Sequence, residues 1–188
     1  MQAIRQSPDP VRTMDAFWQG QIKSKEWLID HLVPFISKQV CIDICGGWVG
    51  VLPSMLFQSE IPIASIRSID IDPSCKDIAN LMNRAEEIAG RFQAITADMC
   101  DIQSSADIIV NTSCEHITQD DYFKWLSKLP EKSLLVLQSN DYKIQEHIRT
   151  AASIDEFINQ CGINILWSGK LPLQNYTRFM IIGIKQYN

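Results

Sequence analysis

The chain has 188 residues, 46% of them apolar and 21% charged, with a formal net charge of −5. That size and balance suit one globular domain with a full core, and the acidic excess, with Lys and Arg scattered, excludes a broad electrostatic grip on nucleic acid or an anionic membrane. No stretch is apolar enough for a membrane span, the N-terminus lacks a secretory core, and the six cysteines form neither a CxxC pair nor a Cys/His set at zinc spacing. The expectation is a cytoplasmic protein with mostly buried thiols, no metal site, and no nucleic-acid or membrane partner.

Residues Thr13 to about Phe35 read as one amphipathic helix, since Met14, Phe17, Trp18, Trp27, Leu28, Leu32 and Val33 recur at near-helical spacing and Pro34 disturbs the end. A first strand is expected over Val40–Ile44, a helix over Val51–Phe57, and a second strand over Ala64–Ile71. Pro73 opens a helix whose apolar stripe of Ile78, Leu81, Met82, Ala85 and Ile88 runs to Gly90. Strands at Phe92–Thr96 and Asp107–Asn111 follow, then a helix from Thr118, as its cap, to Leu126. The chain continues with a strand at Ser133–Gln138, a helix at Ile154–Cys161 ending on Gly162, and two closing strands, Ile163–Gly169 and Arg178–Lys185. Such alternation predicts an α/β three-layer sandwich, a mostly parallel sheet with helices on both faces.

The most specific segment is Val40-Cys-Ile-Asp-Ile-Cys-Gly-Gly-Trp-Val-Gly50, an apolar strand running into a glycine cluster and then a helix. Gly46 and Gly47 allow a sharp turn and close approach of a ligand, and the helix start aims free N–H groups at the same point. Asp70 and Asp72, at the end of the second strand, stand where an acid can hold ribose hydroxyls. The pair points to a nucleoside-type ligand; either half alone is weak, because a strand–turn–helix junction needs no ligand.

On these residues the chain from Val40 onward resembles the class I S-adenosylmethionine-dependent methyltransferases. The resemblance implies a seven-stranded sheet with the last strand antiparallel, and a single domain over residues 1–188, with 1–37 as a helical cover and 38–188 as the cofactor-binding core. It implies that Asp43 organises the loop and holds the methionine amino group, directly or through water, that Gly46 and Gly47 form the turn, and that Asp70 binds the ribose. It also implies that Ile71 lies on the adenine face, that Asp98 accepts from the adenine amino group beside the Met99 N–H, and that Asn111 touches the methionine part. The usual D-x-G-x-G-x-G pattern would put glycines at 45 and 49, where this chain has Cys45 and Val49 with glycines at 46 and 50. A cysteine there requires negative φ or strain, which predicts a turn rearranged around Gly46.

Asn111-Thr-Ser-Cys-Glu-His-Ile117 follows the fourth strand, and Glu115-His116-Ile117 is similar to a Glu-His-Val segment of small-molecule methyltransferases. His116 can act as a base toward a substrate hydroxyl or amine. Equally, it can pack at the start of the next helix with Glu115 complementing the helix dipole. Cys114 is set aside as a nucleophile, because methyl transfer needs no covalent enzyme intermediate. The absence of an Asn-Pro-Pro-Tyr segment disfavours amino methylation of a flipped base. Asn140 and Tyr142, in Gln138-Ser-Asn-Asp-Tyr142, are either substrate readers or ordinary loop residues, and Trp48 covers a ligand or packs on the first helix.

The resemblance therefore implies methyl transfer from S-adenosyl-L-methionine to a small-molecule or protein-borne acceptor, with His116 and Glu115 as catalytic residues. Gly50-Val-Leu-Pro53 and Asp70-Ile-Asp-Pro-Ser74 also resemble pieces of nicotianamine synthase-like enzymes, which implies an alternative transfer of the aminocarboxypropyl arm. A non-catalytic nucleoside- or partner-binding module on the same scaffold is the remaining reading.

Overall fold

The computed structural model describes residues 2–185. In chain order the elements are α1 (Gln2–Gln6), α2 (Pro10–Asp15), α3 (Gln19–Leu32), β1 (Val40–Cys45), α4 (Val51–Phe57), β2 (Ile63–Asp70), α5 (Pro73–Met82), α6 (Arg84–Ile88) and β3 (Phe92–Thr96). Then come β4 (Ile108–Asn111), α7 (Gln119–Lys128), β5 (Leu134–Asn140), α8 (Ile154–Cys161), β6 (Ile163–Pro172) and β7 (Thr177–Lys185). Seven strands form one sheet in the order β3-β2-β1-β4-β5-β7-β6, with helices around it. β1, β2 and β3 pair in parallel, as do β4 and β5, while β7 runs antiparallel to both β5 and β6. The expected α/β sheet with an antiparallel last strand is therefore the one observed.

The chain divides into two compact units, Met1–Met99 and Cys100–Asn188. In the first, α5 packs on β2 and β3, and α4 on β2 and α3. Here the expected single N-terminal helix is broken. Trp18 leaves helical geometry at φ −59°, ψ 146° and becomes the residue before α3, so α2 and α3 are separate. Consequently Met14, Phe17 and Trp18 do not form a buried face; all three are exposed, Trp18 by 46%. The small residues turn inward instead. Ala3 and Ala16 pack with Val49, Val51 and Ile78, where short side chains let the thin helical cover approach closely. Trp27 is half-buried, edge-on to His31 at 5.7 Å.

The predicted helix from Pro73 to Gly90 is also broken, at Asn83. The buried Asn83 amide donates to Gly50 O and Ala79 O, both at 2.9 Å, so it ties the end of α5 to the turn after β1 at the expense of helical continuity.

In the second unit α8 packs on β6 and β7, and Tyr122, Trp125 and Phe157 are its largest fully buried side chains. Helix starts here follow the capping residues. Thr118 Oγ1 accepts from Asp121 N at 3.1 Å, and Ser153 Oγ accepts from Glu156 N while Glu156 reaches back to Ala152 N. β5 extends two residues beyond its expected end, so Ser139 and Asn140 are buried strand residues and not part of a solvent loop.

Candidate functional site

In the first unit the parallel register aligns the carboxyl ends of three strands. Cys45 pairs with Ile69 and Asp70 with Thr96, which brings the turn after β1, the end of β2 and the residues after β3 to one edge. That edge is where open parallel sheets take ligands. The turn is rearranged around Gly46: φ is +66° at Gly46 and +78° at Gly50, and among the described non-glycine residues only Trp48 is positive, at +46°. Cys45 and Val49 thus keep ordinary backbone. Gly47 has a different role, since a Cβ there would meet Ser68 Oγ at 2.0 Å, so the turn lies directly on β2.

Asp70 is the hub of this edge. Its Oδ2 accepts from Trp48 N at 2.8 Å and its Oδ1 from Asp72 N at 3.0 Å, which holds Trp48 in its left-handed conformation and shapes the chain leading into α5. Ile71 beside it is 70% exposed, an apolar side chain presented at this edge, and Asp98 is exposed beyond β3. Met99 is half-buried and opens a 3₁₀ turn over Met99–Asp101.

Asp43 is the acid on β1, two residues before the end of that strand. It is buried on β1 opposite Arg67 on β2, whose Nε donates to Asp43 Oδ1 at 2.8 Å while a terminal nitrogen donates to Oδ2. Both oxygens are therefore engaged by one guanidinium, so the charge that would attract an ammonium group is already matched. Trp48 packs into the apolar cluster of the N-terminal cover, with its Nε1 buried and unpartnered. Arg12 on that cover ion-pairs with Asp72, the N-cap of α5, and its NH1 lies 3.3 Å from Ser74 Oγ. The Ser74 side chain, its backbone N–H and Arg12 together hold the Asp72 carboxyl down at about 2.

The second unit gathers the segment after β4. Asn111 ends that strand, buried, its Oδ1 accepting from Ser113 N at 3.0 Å. Glu115 lies in a 3₁₀ turn, Cys114–His116, not at the start of α7, whose first turn carries Asp120 and Asp121. The dipole-complementing role is therefore excluded for Glu115. Its side chain is 3% exposed and its Oε1 accepts from Asn140 Nδ2 at 2.6 Å and Arg178 NH1 at 3.1 Å. Burial pulls the Arg178 pKa down, but Glu115 and Tyr176 outweigh it and the net direction is up. The Glu115 carbonyl accepts from Ile148 N and Arg149 N, and Arg149 Nε donates to Cys114 O with its guanidinium 4.3 Å from the centre of the Tyr122 ring. Burial pushes the Tyr122 hydroxyl far above its usual range, and the group serves as a donor to Cys161 O at 2.8 Å.

His116 is exposed, and its Nδ1 lies 3.0 Å from Glu146 O. It meets His147 edge-on at 4.7 Å, with Tyr142 beyond. Around Glu115 and His116 the structure gathers Asn140, His147, Arg149 and Arg178, while Cys114 is fully buried. Among these additions only Asn140 had been singled out in the sequence. Arg149 and Arg178 each sit beside an apolar or small-residue run, but their partners lie in remote segments that local spacing does not reveal.

The chain aligns with magnesium protoporphyrin IX methyltransferase from Synechocystis PCC 6803 with bound S-adenosylmethionine at a TM-score of 0.66, with 15% identity, over 87% of this chain and 79% of that one. Geranyl diphosphate C-methyltransferase from Streptomyces coelicolor A3(2), in complex with S-adenosylhomocysteine, gives 0.68 and 10%, over 88% and 76%. The fold is that of the class I methyltransferases. The pyocyanin biosynthetic protein PhzM aligns at 0.69 and 14% identity over 98% of this chain, which spans only 61% of that longer protein. No protein-family model matches the chain, and no curated protein matches it in sequence.

Proposed function

We propose that the chain is an S-adenosylmethionine-dependent methyltransferase acting on a small-molecule acceptor, with residues 1–188 working as a single domain. The observation that carries this reading is the edge of the first unit, where the Gly46–Gly50 turn, the Asp70 carboxylate and the exposed Ile71 and Asp98 stand together. The fit is chemical as well as positional. Each Asp70 oxygen accepts one backbone N–H and keeps a further lone pair for a ribose hydroxyl, and Gly46, at φ +66°, carries no Cβ to block approach.

Bound there, S-adenosylmethionine supplies a methyl group on a sulfonium. Asp70 orients the ribose, Ile71 covers the adenine face, and Asp98 with the Met99 N–H reads the adenine edge. Asp43, neutralised by Arg67, anchors β1 beneath the turn and does not hold the ammonium group. His116 takes the acceptor's proton: a carbonyl oxygen only accepts, so its Nδ1 carries the hydrogen and Nε2 offers a lone pair.

Calorimetry on the full chain tests the reading. The wild type should bind S-adenosylmethionine, and Asp70→Ala should weaken binding by about 10- to 150-fold, the loss of a charge-assisted hydrogen bond of about 1.5–3 kcal/mol. Equal affinities would remove the ribose assignment, and no binding by the wild type would remove the cofactor. Methylthioadenosine as the product, in place of S-adenosylhomocysteine, would turn the reading to transfer of the aminocarboxypropyl arm.

A further inference from the structure

Glu115, His116 and His147 each offer one donor atom, and these atoms all lie within 4.8 Å of one another, entirely inside the second unit. The carboxylate is incompletely satisfied. Glu115 Oε1 takes both Asn140 and Arg178, whereas Oε2 is buried with no hydrogen-bond partner. A buried carboxylate oxygen left without a donor is destabilising, and a cation is one way to satisfy it.

Both imidazoles are set for ligation. His116 Nδ1 lies 3.0 Å from Glu146 O and His147 Nδ1 lies 2.6 Å from Tyr142 O. Carbonyls only accept, so both rings hold their hydrogen on Nδ1 and leave Nε2 as the bare donor, the arrangement by which a backbone carbonyl fixes the tautomer of a metal-binding histidine. The two segments are also held together. Ile148 N and Arg149 N both donate to Glu115 O, at 2.8 and 3.0 Å, which pins the chain next to His147 onto the turn carrying Glu115 and His116.

We propose that Glu115, His116 and His147 form a binding site for a divalent first-row transition ion, zinc foremost. Two imidazoles and one carboxylate are a nitrogen-rich set that suits zinc and its neighbours and not magnesium or calcium, which take oxygen donors. A tetrahedral ion with bonds of about 2.1 Å wants donors about 3.4 Å apart. Three protein donors leave the fourth position to water or an oxygen donor of a ligand. With the ion bound, His116 is a ligand and no longer a proton acceptor. The site was hidden from the sequence because His147 belongs to a different segment from the Glu-His pair.

The test is zinc titration of the tag-free full chain by calorimetry, with cobalt as an optical probe. One equivalent of zinc should bind, and His147→Ala and His116→Gln should each weaken it by more than the roughly 10–100-fold that loss of a partner behind a ligand costs. His31→Ala, on α3, should leave it unchanged. Both site variants alter histidines that lie outside the buried core, and unchanged circular dichroism would show that each still folds. No stoichiometric zinc binding, undiminished affinity in His147→Ala, or a sulfur-to-cobalt charge-transfer band would each overturn the proposal. The cofactor titration is separate: a chain that takes S-adenosylmethionine but not zinc sinks this inference alone, and the converse sinks the methyl-transfer reading alone.

Discussion

Asp70, the last residue of β2, and Glu115, in the 3₁₀ turn that follows β4, are both carboxylates, yet they organise their surroundings by opposite means. Asp70 holds backbone N–H groups of two nearby loops and is only part-buried, so it shapes the turn while remaining open to a ligand. Glu115 is buried and holds two side chains, Asn140 and Arg178, from strands β5 and β7. The first arrangement leaves both oxygens room for a ligand; the second ties one oxygen into a buried pair and leaves the other, Oε2, without a hydrogen-bond partner. Removing Asp70 should therefore be felt in ligand affinity, and removing Glu115 in the fold itself.

The largest effect should come from Glu115→Gln. The substitution leaves the Arg178 guanidinium, 5% exposed, buried without its counter-charge, and breaking one side of a buried pair costs about 3–5 kcal/mol. Urea unfolding measures this directly. Arg178→Met in the same background should recover much of the loss, because an uncompensated charge and not a missing contact causes it. Failure of that rescue would mean that Glu115 stabilises chiefly through Asn140, and would narrow the contrast with Asp70.

These two hubs were not equally legible in the sequence. The Asp70 edge is legible because each part is local: a strand, a glycine cluster and an acid closing the next strand, with Gly46 marking the rearranged turn, whereas the positive φ of Trp48 has no local signal. Helix and strand positions with strong periodicity or caps were equally clear, as at Val51–Phe57, Phe92–Thr96 and Ile154–Cys161. The cover was misread because Met14, Phe17 and Trp18 have helical spacing, while the packing surface prefers the smaller Ala3 and Ala16. Spacing records amphipathicity, not which face fits. The Glu115 hub was half-read for another reason, since Arg178, Asn140 and His147 reach it only through tertiary pairing.

A middle-sized effect is expected on the Asp70 side at Gly47. An added methyl group would sit 2.0 Å from Ser68 Oγ and 3.2 Å from Ser68 Cβ, so Gly47→Ala overpacks the contact between the turn and β2, typically by about 1–3 kcal/mol. Ser68→Gly removes both opposing atoms and should restore most of the stability in the double variant, as read by thermal unfolding. If the double variant is no better than Gly47→Ala, the turn is not seated on β2 through this contact.

The smallest effect concerns Asp72, two residues beyond Asp70 and the N-cap of α5. Hydrogen bonds from Ser74, then the pairing with Arg12, lower its pKa from the ordinary carboxylate range to about 2. A carboxyl lowered by folding adds stability that is fully present above its unfolded value, near 3.9, and that fades as the pH falls toward about 2. Asn is as good an N-cap as Asp, so Asp72→Asn keeps the start of α5 and removes only the charge. The wild type should be slightly the more stable protein at pH 5, and the difference should shrink between pH 4 and about 2 and also in high salt, because Arg12 and Asp72 both reach solvent. A difference that ignored both pH and salt would mean that the Asp72 charge contributes nothing and that its cap hydrogen bonds alone hold the start of α5.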